Sequence, residues 1–177
     1  MEHAGRITVF GSSRAAPDDT VYRDARRLGR LLAEAGYAVC SGGYAGVMEA
    51  VSLGAAEGGG TAIGVTVASW AAQVRPNPWL TSEIATADLF DRLARLIASD
   101  AYVAMPGGPG TLGEVALTWN LFQTHSIPVR PLILVGPEWR RGLAQLAENF
   151  RITPSDLAFL RTVDSVDEVL PAIRAPR

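Results

Sequence analysis

Short unbroken apolar runs alternate along this chain with longer stretches whose apolar residues recur at helical spacing. Residues 7–10 form the first run and end in Gly11, Ser12 and Ser13. Residues 18–35 then place Val21, Leu28, Leu31 and Leu32 at helical spacing, with Asp18 or Asp19 as N-cap and Gly36 as the stop. The unit recurs. A strand at 37–40 runs through the turn Ser41-Gly42-Gly43 into a helix at 46–57, and a third strand covers 61–67. A helix at 88–99 carries Leu89, Leu93, Leu96 and Ile97. Strands at 101–105 and 131–135 precede helices at 111–124 and 138–150. Residues 69–86 keep no period, and Pro76, Asn77 and Pro78 rule out a helix there. A loop of that length is either packed surface or functional. Residues 153–174 read as a short helix and a return segment packed on the domain.

Strands that are apolar on both faces, each followed by a helix, predict a parallel sheet covered on both sides. The expected fold is α/β, a Rossmann-like doubly wound parallel sheet with helices on both faces. No repeat or linker interrupts it, so residues 1–177 read as one domain. In such sheets ligands sit at the carboxyl ends of the strands.

Composition narrows the chemistry. With 48% hydrophobic and 19% charged residues the chain buries a core and is not disordered. A net charge of −2 and no basic run argue against nucleic acid as a partner, so any phosphate chemistry is local. The single cysteine, Cys40, ends an apolar run and reads as a buried thiol; it excludes an internal disulfide and a multi-cysteine metal site. No metal and no cofactor are predicted. No apolar stretch reaches the roughly 18 residues of a membrane span, and the N-terminus lacks a signal-peptide core, so a cytoplasmic protein off the membrane is expected. All 16 basic residues are arginine. Without lysine there is no Schiff base with pyridoxal phosphate and no Walker A loop.

Three turns rich in Gly or Ser fall at predicted strand ends: Gly11-Ser12-Ser13, Ser41-Gly42-Gly43 with Gly46, and Pro106-Gly107-Gly108-Pro109-Gly110-Thr111. A loop entering a helix leaves backbone N–H groups unpaired, and these attract an anion together with the helix dipole. Glycine lets the backbone approach a phosphate, and Thr111 adds a hydroxyl. Glu114 stands three residues after Thr111, the spacing of a capping box, so it either bonds the N-cap amide or faces the ligand edge. The turns lack a correctly spaced G-x-G-x-x-G, which disfavours hydride transfer. Asp88–Arg92 and Asp91–Arg95 are i,i+4 pairs. Arg95 reads as a surface ion pair, whereas Arg92 stands near a helix start and is either that or a site residue. His3 and His125 have no visible nucleophile or carboxylate partner and read as structural, and Trp119 and Phe122 as core or dimer face.

The run P-G-G-P-G-T-L-G-E from Pro106 to Glu114 resembles the P-G-G-x-G-T-x-x-E signature of the LONELY GUY (LOG) family, once described as lysine decarboxylase-like. Phe10-Gly11-Ser12-Ser13, Gly42-Gly43-Tyr44-Ala45-Gly46-Val47-Met48 and Ser99-Asp100-Ala101-Tyr102-Val103-Ala104-Met105 resemble further family segments, so the likeness spans most of the chain. The resemblance implies a cytokinin riboside 5′-monophosphate phosphoribohydrolase, which releases free base and ribose 5-phosphate from a nucleoside 5′-monophosphate such as AMP. It implies a catalytic Glu114 and a phosphate loop on Gly107, Gly108, Gly110 and Thr111, completed by Ser12, Ser13, Gly42 and Gly43. It also implies a homodimer. One departure stands out: the best-studied members carry Arg-Lys where an ungapped count places Asp91-Arg92, and Asp91 cannot replace the arginine's charge. A guanidinium belongs at the phosphate or the leaving base, the role expected of Arg92. Residues Val47-Met48-Glu49-Ala50 also resemble a sister branch that carries molybdenum cofactor, the alternative of a non-catalytic binder of a phosphate-bearing ligand.

Overall fold

The computed structural model describes residues 4–176, so His3 lies outside the described residues. Seven strands form one sheet: β1 (Arg6–Phe10), β2 (Ala38–Ser41), β3 (Ala62–Val67), β4 (Ser82–Thr86), β5 (Ala101–Ala104), β6 (Leu132–Val135) and β7 (Leu160–Val163). All pair in parallel, in the order β4-β3-β2-β1-β5-β6-β7. The helices are α1 (Thr20–Glu34), α2 (Val47–Glu57), α3 (Leu89–Ile97), α4 (Pro109–Gln123), α5 (Pro137–Asn149), α6 (Pro154–Leu157) and α7 (Val169–Arg174). This is the doubly wound α/β architecture that the strand pattern predicts.

The alternation of side chains along each strand sends residues to two cores. Ile7 and Val9 of β1 join Leu28 and Leu32 of α1, Val51 of α2 and Val169 of α7 on one face. Phe10 joins Leu96 of α3, Tyr102 of β5, and Val115 and Phe122 of α4 on the other. The chain winds outward from β1 to β4, then returns to β5 beside β1. The strand order therefore reverses between β1 and β5, where open α/β sheets leave a crevice. Backbone bonds stitch the two loops beyond it: Met105 N–H donates to Phe10 O at 2.9 Å and Ser12 N–H to Pro106 O at 3.3 Å.

Three expectations are corrected. Residues 69–86 are not irregular throughout, because 82–86 form β4, paired with β3 from Ile63↔Ser82 to Val67↔Thr86. An edge strand needs only one apolar face and one partner, and Ser-Glu-Ile-Ala-Thr shows no apolar run. The predicted return segment at the C-terminus contains β7, a strand on the opposite edge. Helix α4 starts at Pro109 with Gly108 as N-cap and no side-chain cap bond, so Thr111 lies inside the helix and the Thr111–Glu114 capping box does not form. Proline at the first helical position, where its missing N–H costs nothing, moved the start forward. Among the described residues no helix is long and apolar enough to cross a membrane.

Candidate functional site

Beyond the carboxyl ends of β1 and β5 opens a cavity of about 800 Å3, within the range of small-molecule sites. The start of α4 forms one wall. A helix offers no internal acceptor to its first N–H groups, and here no side chain caps them, so the Gly110 and Thr111 amides are left for an outside acceptor. The first intrahelical bond runs from Leu112 N–H to Gly108 O at 3.0 Å. Gly107 is held to glycine because a Cβ would collide with the Thr111 hydroxyl, whereas Cβ atoms on Gly108 or Gly110 would meet nothing within 4 Å. Thr111 is buried at 3% exposure and lines the cavity.

Arg92 and Glu114 meet at the same cavity from different helices. Asp88 caps α3 by accepting the Phe90 and Asp91 N–H groups at 2.8 and 2.9 Å. That occupies its carboxylate, and no Asp88–Arg92 ion pair forms. Arg92 instead turns inward, 7% exposed. Its Nε donates to Val65 O at 2.8 Å, and its guanidinium lies 5.8 Å from the Tyr44 ring and 5.7 Å from the Trp70 ring. Both contacts are within cation–π range. Gly42 makes this path possible, since a Cβ there would overlap the Arg92 Nη2. Arg92 Nη1 ends 3.7 Å from Glu114 Oε1. That is an ion pair but too long for a hydrogen bond, so the carboxylate keeps its lone pairs for another donor. Burial raises the Glu114 carboxyl from 4.5 to about 7, and the Arg92 charge opposes the shift without cancelling it. A carboxyl poised near neutrality beside a fixed cation suits proton handling or charge stabilisation.

The structure brings Ser12, Ser13, Gly42, Arg92, Gly107, Gly108, Gly110, Thr111 and Glu114 to this one cavity. Gly43 does not line it. Its φ of +77 and close contact with Gly64 make it a turn residue against β3. The Asp91–Arg95 pair forms on the surface at 3.2 Å. His125, exposed with φ +53, ends α4 away from the cavity. Phe122 is core, Trp119 donates its N–H to Asp156 O at 2.8 Å, and Cys40 is buried, which raises its thiol pKa. Sequence reasoning missed Arg14, Tyr44 and Trp70, all of which line the cavity. Arg14 directly follows Ser12-Ser13 and forms no ion pair among the described residues. Trp70 stood in the loop whose role was open.

The profile of the SLOG cluster4 family matches residues 5–128, a span that includes every residue lining the cavity. A cytokinin riboside 5′-monophosphate phosphoribohydrolase from Rhodococcoides fascians is 28% identical over 179 residues, covering 96% of this chain and 89% of that protein. One of the same name from Arabidopsis thaliana is 36% identical over 131 residues, 71% of this chain but 60% of its own length. Among solved structures, the molybdenum cofactor binding protein from the phototrophic bacterium Rippkaea orientalis aligns with a TM-score of 0.78 at 25% identity, covering 98% of this chain and 97% of that one.

Proposed function

This chain belongs to the SLOG cluster4 family, and on that premise we propose that it hydrolyses the N-glycosidic bond of a nucleoside 5′-monophosphate, AMP or a cytokinin riboside monophosphate, to free base and ribose 5-phosphate. The observation that carries the reading is the meeting of Glu114 with Arg92 in a cavity whose wall is an uncapped helix start. The 5′-phosphate takes the Gly110 and Thr111 amides, where the α4 dipole favours an anion. Arg14, exposed on the rim, adds a second positive charge. The ribose then extends towards Glu114.

As the C1′–N bond opens, its electron pair leaves with the base and positive charge builds on the sugar. The Glu114 carboxylate, little solvated and facing Arg92, stabilises that charge and orients the incoming water. Water gives its hydroxyl to C1′ and a proton to the base. Arg92, anchored at Nε by Val65 O and at Nη2 by Met48 Sδ, presents its Nη1 side beside Glu114 to the base that gains electron density. Chromatography of AMP and isopentenyl-AMP after incubation tests the proposal, and no base released from either contradicts it.

A second reading has one observation in its favour, the likeness over nearly the whole chain to a molybdenum cofactor binding protein. It makes the same cavity a carrier site for a phosphate-bearing pterin. Mass spectrometry of small molecules retained through purification separates the two, because a carrier holds its cargo and an enzyme releases product.

We also propose that a second copy of the chain covers the outer face of α4. That helix bears a single charge, Glu114, which faces the cavity. Leu112 on it is 53% exposed, and Phe90 at the start of α3 is 82% exposed. An exposed helix face that carries Leu112 and Ala116 and no charge fits a covered position. Light scattering should return a dimer for the wild type and a monomer for Leu112→Arg; a monomeric wild type at micromolar concentration contradicts this.

A further inference from the structure

The walls of the cavity differ in chemistry. They include the amide-rich start of α4 and, from other elements, the aromatic pair Tyr44 and Trp70 beside Arg92. The two rings have different duties. Tyr44 is 6% exposed, and its hydroxyl accepts the Val67 N–H at 2.8 Å, which ties it to the end of β3. Trp70 is half-buried and lines the cavity, and its indole N–H donates to no protein acceptor among the described residues. Its short helical turn, Ala68–Trp70, contains no buried residue. Trp70 is therefore not there to fill a core.

The segment carrying it is nonetheless held in place. Asn77, 7% exposed, donates its backbone N–H to Gly43 O at 2.8 Å and its side-chain Nδ2 to Tyr44 O at 3.2 Å. Its Oδ1 accepts the Trp79 N–H at 3.1 Å. A loop with two prolines is thereby pinned to the turn beside Gly42, close to where Arg92 enters the site. The result is a broad apolar ring with an unpaired donor on its edge, lining the same cavity as the α4 amides but carried on a different element. A flat aromatic group attached to a phosphate through a sugar matches that layout.

We propose that Trp70 stacks on the base of the bound nucleotide and so makes the site require an aromatic leaving group. This rests on the nucleotide reading above for the identity of the ligand. Every nucleobase has a π-face, so stacking selects for the presence of a base with little preference among bases. Base preference then comes from the hydrogen-bonding groups around it.

Calorimetric titration of AMP, CMP and ribose 5-phosphate into wild type, Trp70→Ala and Trp70→Phe tests the proposal. Each protein is also prepared with Glu114→Gln so that no turnover disturbs the heats. Trp70→Ala should weaken AMP and CMP binding by about tenfold. Trp70→Phe should recover most of that loss, and ribose 5-phosphate should bind all three within about twofold. Equal weakening of nucleotides and ribose 5-phosphate would mean that Trp70 acts through Arg92 or the fold, and unchanged nucleotide affinity would mean that it does not touch the base; either overturns the proposal. A wild type that binds no nucleotide overturns it as well. Nucleotide binding with the Trp70 pattern intact, but no adenine released by the protein carrying Glu114, leaves the stacking assignment standing and removes the hydrolase reading.

Discussion

At Gly42 a methyl group would collide with the guanidinium of Arg92, while at Gly108 and Gly110 it would meet no atom within 4 Å. These turns look alike as sequence, since both are short glycine clusters after apolar strands. The turn after β2 is glycine because another side chain of the same protein runs through the space. In the loop after β5, Gly107 likewise yields to Thr111, whereas Gly108 and Gly110 border the cavity at the start of a helix with no side-chain cap. One cluster makes room for the Arg92 guanidinium and the other borders open space in the cavity. The comparison shows that a glycine-rich turn is evidence of close approach and says nothing by itself about what approaches.

The sharpest way to break this picture is at the residue both turns serve. Glu114→Gln should cut base release by about 10³-fold, because the neutral amide cannot stabilise a cationic sugar. The same residue sets the pH response. The proposed mechanism uses the ionised form, so kcat/KM should climb with pH and level off above about 7. Stability should run the other way. The folded protein keeps a proton that the unfolded chain releases between pH 4.5 and about 7, so ligand-free stability falls as pH rises through that window. The full effect is of order 3 kcal/mol, and Glu114→Gln should flatten it in denaturant titrations.

Next in size is Gly42→Ala. Its methyl displaces Arg92 from Val65 O and from the Glu114 carboxylate, and a misplacement of about 1 Å at a reacting centre costs roughly 10²-fold in rate. Base release should fall by that factor with the circular dichroism unchanged; full activity would show that Arg92 is not needed where it sits. Gly110→Ala completes the pair with a smaller effect of mixed sign. Alanine is the better helix former, so thermal stability should rise by about 0.5–1 kcal/mol. The KM for AMP should rise several-fold, because the methyl intrudes where the phosphate approaches. Unchanged KM would break the distinction between the two turns.

The pattern of the chain and the fold agree where a strand is apolar on both faces. Ile7 to Phe10, Ala101 to Ala104 and Leu132 to Val135 are buried almost throughout and read as strands without difficulty. The edges were illegible for the converse reason: β4 and β7 each pair on one side only and show solvent the other. Within the site, Glu114 was visible as a carboxylate near a helix start, but spacing could not separate a cap from a site residue. Pro109 settles that by starting the helix early, which takes Thr111 away from the N-cap. Arg92 looked like half of a surface pair with Asp88, and only the use of Asp88 as the α3 N-cap releases it. Tyr44 and Trp70 carry no local signal because they come together across β3, through contacts that no spacing along the chain encodes.

The most direct measurement is chromatographic quantitation of free adenine and ribose 5-phosphate formed from AMP by wild type and by Glu114→Gln at pH 7.5. Equimolar base and sugar phosphate from wild type, reduced about 10³-fold in the variant, is the outcome expected for a site built on Glu114 and Arg92. Undiminished release by the variant would remove Glu114 from the chemistry, and no release by wild type would remove the hydrolase reading itself.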